Sequence, residues 1–162
     1  MLLSVAEFVR GGAVYSFVNS HAWLWPTMET LHFAGLSLLL GALLVIDLRL
    51  AGHFRSLDLE ATHKLLPVAF IGFGLNLVTG VLFFCGDPMR YAGHTGFQLK
   101  MILVIVAGIN ALVYYWKVKP GMGAWAADGN SPAIAKTVAY VSLGAWTGVL
   151  LLGRLIPYMS TG

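Results

Sequence analysis

Four stretches of the chain, about 27–46, 66–86, 97–116 and 135–157, are apolar with few interruptions. Each is about 20 residues, a helix of ~30 Å at 1.5 Å per residue, enough to cross the hydrocarbon core of a bilayer. Polar residues punctuate the runs. Pro26 suits the start of the first helix and Asp47-Leu48-Arg49 closes it. Asp58 is placed to cap a short leading helix that passes His63, with Pro67 allowing a kink as the second run begins. Lys117, Lys119 and Pro120 end the third. Ser131-Pro132 offers a cap and a first-turn proline to the fourth.

The first 25 residues read differently. Leu2, Val5, Phe8 and Val9, then Val14, Phe17 and Val18, recur at helical spacing, while Glu7, Arg10 and Ser16 break the apolar run. Such a segment predicts an amphipathic helix lying in the membrane interface, split at Gly11-Gly12, or else a partly ordered tail. Trp23 and Trp25 suit a belt at headgroup level. The expected fold is therefore all-α: a single four-transmembrane-helix bundle with an N-terminal interfacial amphipathic helix.

Composition strengthens this reading. Of 162 residues, 58% are hydrophobic and 10% charged, whereas soluble domains carry about a quarter charged residues. A domain of this size still exposes much of its surface, so the missing charged surface implies a lipid-facing one. A net charge of +3 would invite a nucleic-acid reading in a soluble protein. Here the basic residues sit mostly in two loops, and membrane orientation explains them without nucleic acid.

Arg49, Arg55, Lys64, Lys117, Lys119 and Lys136 lie on one side, and only Arg10 and Arg90 lie outside the spans on the other. That asymmetry places loops 48–65 and 117–134 in the cytoplasm and both termini outside. In a bacterium this means the inner membrane, with periplasmic termini. The first ten residues lack a basic n-region and a small-residue cleavage site, so a cleaved signal peptide is not expected. Cys85 is the single cysteine and belongs to no CxxC pair, so no thiol chemistry follows from it.

Ionisable residues inside a membrane are costly and become functional candidates. Glu29 and His32 share one side of the first helix, with His32 ~8 Å deep by helical rise. Lys100 lies just inside the third helix and Arg154 near the end of the fourth. The connecting loop 87–96 adds Asp87, Arg90, Tyr91 and His94, and His21 and Trp25 approach from the preceding segment. All face one compartment. Two readings stay open: snorkelling cations and a hydrogen-bonded packing histidine, or a binding site.

A b-type haem suits the second reading. It needs an axial imidazole within an apolar bundle and cations near the boundary for its propionates. His32 is the candidate ligand, with Lys100, Arg154 and Arg90 for the propionates and Phe33, Phe84 and Trp146 to cover the ring. Glu29 is a candidate to orient the imidazole. His63 is ruled out as a second ligand, because the fifteen residues from His32 to Asp47 separate the two levels by ~22 Å. His94 or His21 lies at the right level, and five-coordinate iron is the alternative. The metal candidates are thus His32 and His94. His53 and His63 are expected to face solvent or headgroups.

Small residues mark helix contacts: Ala107 with Ala111, Gly144 with Gly148, and the Gly72, Asn76, Gly80 stripe. Half of a di-iron motif is present in Glu29-x-x-His32, but Glu7, Glu29 and Glu60 lie at scattered levels and do not complete it. HExxH, P-loop and GxSxG patterns are absent.

Glu29-Thr30-Leu31-His32-Phe33-Ala34-Gly35, Asp47-Leu48-Arg49-Leu50, Phe97-Gln98-Leu99-Lys100 and Gly153-Arg154 together resemble an uncharacterised family of small bacterial four-helix integral membrane proteins, over roughly 27–158. Leu31-His32 with Gly35 is also similar to cytochrome b561-like and copper-resistance-D-like membrane proteins. The resemblance implies a haem-binding or redox-partner bundle. The leading expectation is a b-haem electron-transfer protein or redox-complex subunit that links a quinone pool to a periplasmic partner. The alternatives are a non-catalytic anchor or assembly subunit, and a small transporter or proton path through Glu29, Asn76 and Asn110. Expected partners are membrane lipids and other membrane or periplasmic subunits, or further copies of this chain.

Overall fold

The apolar runs form helices, and helix also extends into segments whose sequence promised loops. The computed structural model describes residues 2–126 and 130–158. In order these are α1 (Leu2–Arg10), α2 (Ala13–Ser20), α3 (Leu24–Leu50), α4 (Leu59–His63), α5 (Leu66–Gly86), α6 (Pro88–Gly93), α7 (Thr95–Val113), α8 (Met122–Ala126) and α9 (Ala133–Leu155). Four segments are long and apolar enough to cross a membrane: Leu24–Leu50, Leu59–Gly86, Thr95–Trp125 and Ala133–Leu155.

Several boundaries moved for local reasons. α1 breaks from α2 at Gly11-Gly12, with Gly12 in extended conformation as the N-cap. Asp58 caps α4 by accepting from the Glu60 and Ala61 amides. Pro67 does not kink a running helix; it sits in the first turn of α5, where its missing N–H costs nothing.

The 87–96 loop is instead mostly helical. Pro88 starts α6, and His94 ends it and caps α7. Lys117 to Pro120 do not stop the helical run either. A π-helical stretch, Tyr114–Val118, passes into a 3-10 turn, Lys119–Gly121, and the missing amide of Pro120 falls in that transition. At α9 the N-cap is Pro132, which has no capping side chain, and the Ser131 hydroxyl is buried without a partner among the described residues. The expected serine cap is not made.

The four long helices stand in a row. α3 packs along α5 on one side and α9 on the other, α7 packs along α9, and α5 barely meets α7. Stacking of Phe84 on Phe97, with centroids 5.9 Å apart, joins those end helices near the loop that connects them. α1 packs on α6 and α2 on α5, with Ala6 and Val18 as their buried residues.

The α3–α5 contact is the closest. A Cβ built at Gly72 would stand 2.5 Å from the Gly35 carbonyl oxygen and the Leu39 amide nitrogen. One built at Gly35 would meet Asn76 Nδ2 at 2.6 Å. The two backbones touch because neither helix carries a side chain there. Of the expected small-residue pairs, Gly148 meets Leu103 of α7 and Ala107 is buried, whereas Gly144 and Gly80 face open space and Ala111 is exposed.

Gly72→Leu must therefore separate α3 from α5. It is expected to destabilise the protein by about 1–3 kcal/mol, as overpacking does, while Gly144→Ala stays within ~0.5 kcal/mol of the parent. Unfolding in detergent followed by far-ultraviolet circular dichroism checks both.

Candidate functional site

The register of α3 against α5 decides where His32 points. Leu39 lies on Gly72, Gly35 on Asn76, His32 on Thr79 and Trp25 on Gly86. Each step of four, three or seven residues back along α3 is matched by the same step forward along α5. That is the periodicity of an antiparallel coiled-coil seam. It runs through Gly72, Asn76 and Thr79 and leaves Gly80 outside, because a strict i+4 stripe drifts off a seam that averages 3.5 residues per turn.

The seam brings the His32 Nδ1 to 2.7 Å from Thr79 Oγ1. Thr79 is buried, and its hydroxyl lies 2.6 Å from the Leu75 carbonyl oxygen. A hydroxyl carries one hydrogen, and here it goes to a carbonyl that can only accept. The contact with His32 must then be Nδ1–H donating to the hydroxyl oxygen. In the neutral ring this leaves Nε2 with a bare lone pair. No other residue among those described bonds to His32, and the Phe83 ring meets it edge-on at 5.4 Å.

Lys100 of α7 is near enough for its charge to act on His32. Its Nζ lies beside Gly153 of α9, 3.5 Å from where a Cβ would stand. His32, Thr79, Lys100 and Gly153 thus draw all four spans together near one end of the row. Among the described residues no carboxylate pairs with Lys100.

The other candidates are more scattered. Glu29 is exposed and is not the partner of His32 Nδ1; its charge acts instead on Tyr91, together with Arg90 and Asp87. Burial pushes the Tyr91 hydroxyl above its ordinary range; Arg90 opposes that shift, and Asp87 and Glu29 add to it. Arg90 and Arg154 are exposed, with the Arg154 guanidinium 5.3 Å from the Tyr158 ring. His94 is buried at the head of α7, and its Nδ1 accepts the Gly96 N–H at 3.0 Å. An accepting Nδ1 leaves the proton of a neutral ring on Nε2, opposite to His32, so the ring is held as a helix cap.

Asn76 and Asn110, named for a transport path, donate to the backbone carbonyls of Gly72 and Val138. No group of three or more His, Cys, Asp or Glu side chains among the described residues is arranged to hold a metal ion. Neither the groove beside Asp47 nor a shallow depression at Pro26, Thr27, Thr30 and Leu31 includes His32.

A second polar group lies at the opposite end of the row and was not foreseen. Asp47 is buried, with Ser142 of α9 beside its carboxyl, and its Oδ2 has no partner among the described residues. The Tyr114 hydroxyl is buried, without a partner among the described residues, and within electrostatic reach of Asp47, at the first residue of the π-helical stretch. His63 stacks on Tyr114 with centroids 5.7 Å apart, gives Nδ1–H to the Leu59 carbonyl, and has a buried, unpartnered Nε2. It does not face solvent as expected. His53 is exposed, with Nε2 2.8 Å from the Tyr140 hydroxyl. The charge next to Asp47 in sequence has a separate task, since buried Arg49 donates to the Leu57 carbonyl and pins the 51–58 loop.

No family model, curated protein or solved structure matches the chain.

Proposed function

We propose that the protein is a membrane electron-transfer subunit in which His32 is the axial ligand of a b-type haem. The observation that carries this reading is the Thr79 contact. A metal-ligating histidine gives its other ring N–H to a fixed acceptor, which sets the tautomer and raises the basicity of the ligating nitrogen. His32 meets that condition on a rigid helix seam, with Nε2 unengaged. Lys100, a cation with no carboxylate partner among the described residues, suits a propionate, and Arg90 and Arg154 are exposed cations nearer the boundary.

The residues fit the group by donor set rather than by a preformed slot. Of the two candidates for a second ligand, His94 has the wrong tautomer, and His21 bonds back to Ser20 and the Phe17 carbonyl of its own segment. When bound, haem would supply one-electron chemistry. The chain's own part is to hold the imidazole in one tautomer, keep water from it with Phe83, and place a cation at its level.

We place the protein in the bacterial inner membrane, with the 48–65 and 117–134 segments cytoplasmic and the termini periplasmic. The excess of Lys and Arg near those loops supports this orientation. α1 and α2 would lie in the periplasmic interface. Leu2, Leu3, Val5, Phe8, Val14 and Phe17 are exposed, which suits contact with headgroups and acyl chains. The electron partners of this reading are a quinone pool and a periplasmic protein.

Purified protein is expected to show a b-type reduced-minus-oxidised spectrum that His32→Ala abolishes and Lys100→Met weakens. A folded, colourless protein after expression with ample haem contradicts the reading. Orientation has its own check in a Cys85→Ser background: a membrane-impermeant thiol reagent should label Gly93→Cys in intact spheroplasts, and Ser56→Cys only after lysis.

A further inference from the structure

One residue sets the turn that ends α3. Gly52 takes φ 92°, a left-handed conformation that costs glycine nothing. Its N–H donates to the Arg49 carbonyl at 3.0 Å and the His53 N–H to the Leu48 carbonyl at 3.0 Å, the paired bonds that close a helix and reverse the chain. The reversal lays residues 52–55 against the start of α9. There the Tyr140 hydroxyl lies 2.8 Å from His53 Nε2, which ties the turn to α9 one helical turn beyond Lys136.

Two cations from separate elements meet at that turn. A Cβ built at Gly52 would stand 3.9 Å from Lys136 Cε and 4.0 Å from Arg55 Nε. The Arg55 Nε–H donates to the Gly52 carbonyl at 3.2 Å, which fixes the guanidinium over the turn. Its terminal amino groups bond to nothing among the described residues, and neither Arg55 nor Lys136 pairs with a carboxylate among them. Lys136 also stands in the opening turn of α9, where no acidic residue is present. The helix dipole already leaves partial positive charge at that end, so a lysine there is disfavoured until an anion offsets it.

We infer that this turn binds the phosphate of an anionic phospholipid. Arg55 offers a planar fork for two phosphate oxygens, and Lys136 a point charge beside it. The cluster stands where the spans Leu24–Leu50 and Ala133–Leu155 reach the membrane boundary, which is headgroup depth. Phe54 and Leu57, in the same loop, are 48% and 43% exposed, and apolar side chains at that depth suit acyl chains. A soluble phosphate would leave them uncovered. Membrane orientation asks only for positive charge in this segment; it does not require two cations to converge on one turn.

This inference is independent of His32 and of any cofactor, and takes from the topology only that this end of the row is a membrane surface. The test is native mass spectrometry of the full-length protein in detergent, with phosphatidylglycerol and phosphatidylcholine of matched chains as probes. The parent is expected to hold one phosphatidylglycerol at least about tenfold more tightly than phosphatidylcholine. Arg55→Gln and Lys136→Gln should each weaken phosphatidylglycerol about fivefold, the worth of one basic residue at an anionic surface, and together about 25-fold.

Lys64→Gln removes the same charge from the same basic segment but not from this turn, and should leave binding unchanged. Ala133→Glu adds a carboxylate within reach of Lys136 at a position where an acid stabilises the helix. It should weaken phosphatidylglycerol about fivefold or more, which covers the case in which the neutral variants do not fold. Equal retention of the two lipids by the parent overturns the inference, as does an equal loss in Lys64→Gln. So does unchanged binding in every folded variant of Arg55, Lys136 and Ala133. Displacement of the lipid by inorganic phosphate overturns it as well, because the site would then be one for free phosphate.

Discussion

The backbone contact between α3 and α5 governs the arrangement. Gly35 and Gly72 let the two helices touch without side chains between them, and that closeness sets a seven-residue register along the whole seam. In lipid there is little hydrophobic reward for bringing apolar helices together, so close packing and shared hydrogen bonds must supply specificity. Thr79 comes opposite His32 because the glycines lie one and two turns away. A register slip of one residue would turn the imidazole off the seam and leave both polar groups in hydrocarbon.

That constraint gives the two ends of the row different characters. Near α6 the His32 donor is satisfied by Thr79, and neither its second nitrogen nor the Lys100 ammonium has a bonded partner among the described residues. Near α4 and the π-helical stretch, three buried polar atoms of Asp47, Tyr114 and His63 have no partner among the described residues, beside a groove that opens toward lipid. Unsatisfied polar groups are expensive wherever water is absent. Their concentration at one depth, where α7 abandons α-helical hydrogen bonding, is the pattern expected of a site shaped for something other than packing.

Much of the architecture was legible in the chain. The helix α5 covers the second apolar run, the break at Gly11-Gly12 is real, and Asp58 caps where its spacing placed it. What sequence could not show was the partner of each polar side chain. Thr79 is an ordinary threonine in an apolar run, and only the α5 register makes it the acceptor for His32 rather than Glu29. Asp47 looked like the polar end of a span, yet α3 continues to Leu50 and carries it into the interior. His63 was expected to face solvent or headgroups, but the capped α4 turns its ring onto Tyr114. Asp47-Leu48-Arg49 did hold a signal, because an acid and a base two residues apart in a helix cannot share one environment.

The account rests most directly on the protonation pattern of one ring, and nitrogen-15 spectra of imidazole-labelled protein report it. Before any cofactor is added, the His32 signals should show a protonated Nδ1 and a bare Nε2, and Thr79→Val should abolish that preference while Thr79→Ser keeps it. A His32 ring protonated at Nε2 with Thr79 intact would contradict the account, because the nitrogen assigned to the metal would already carry a proton.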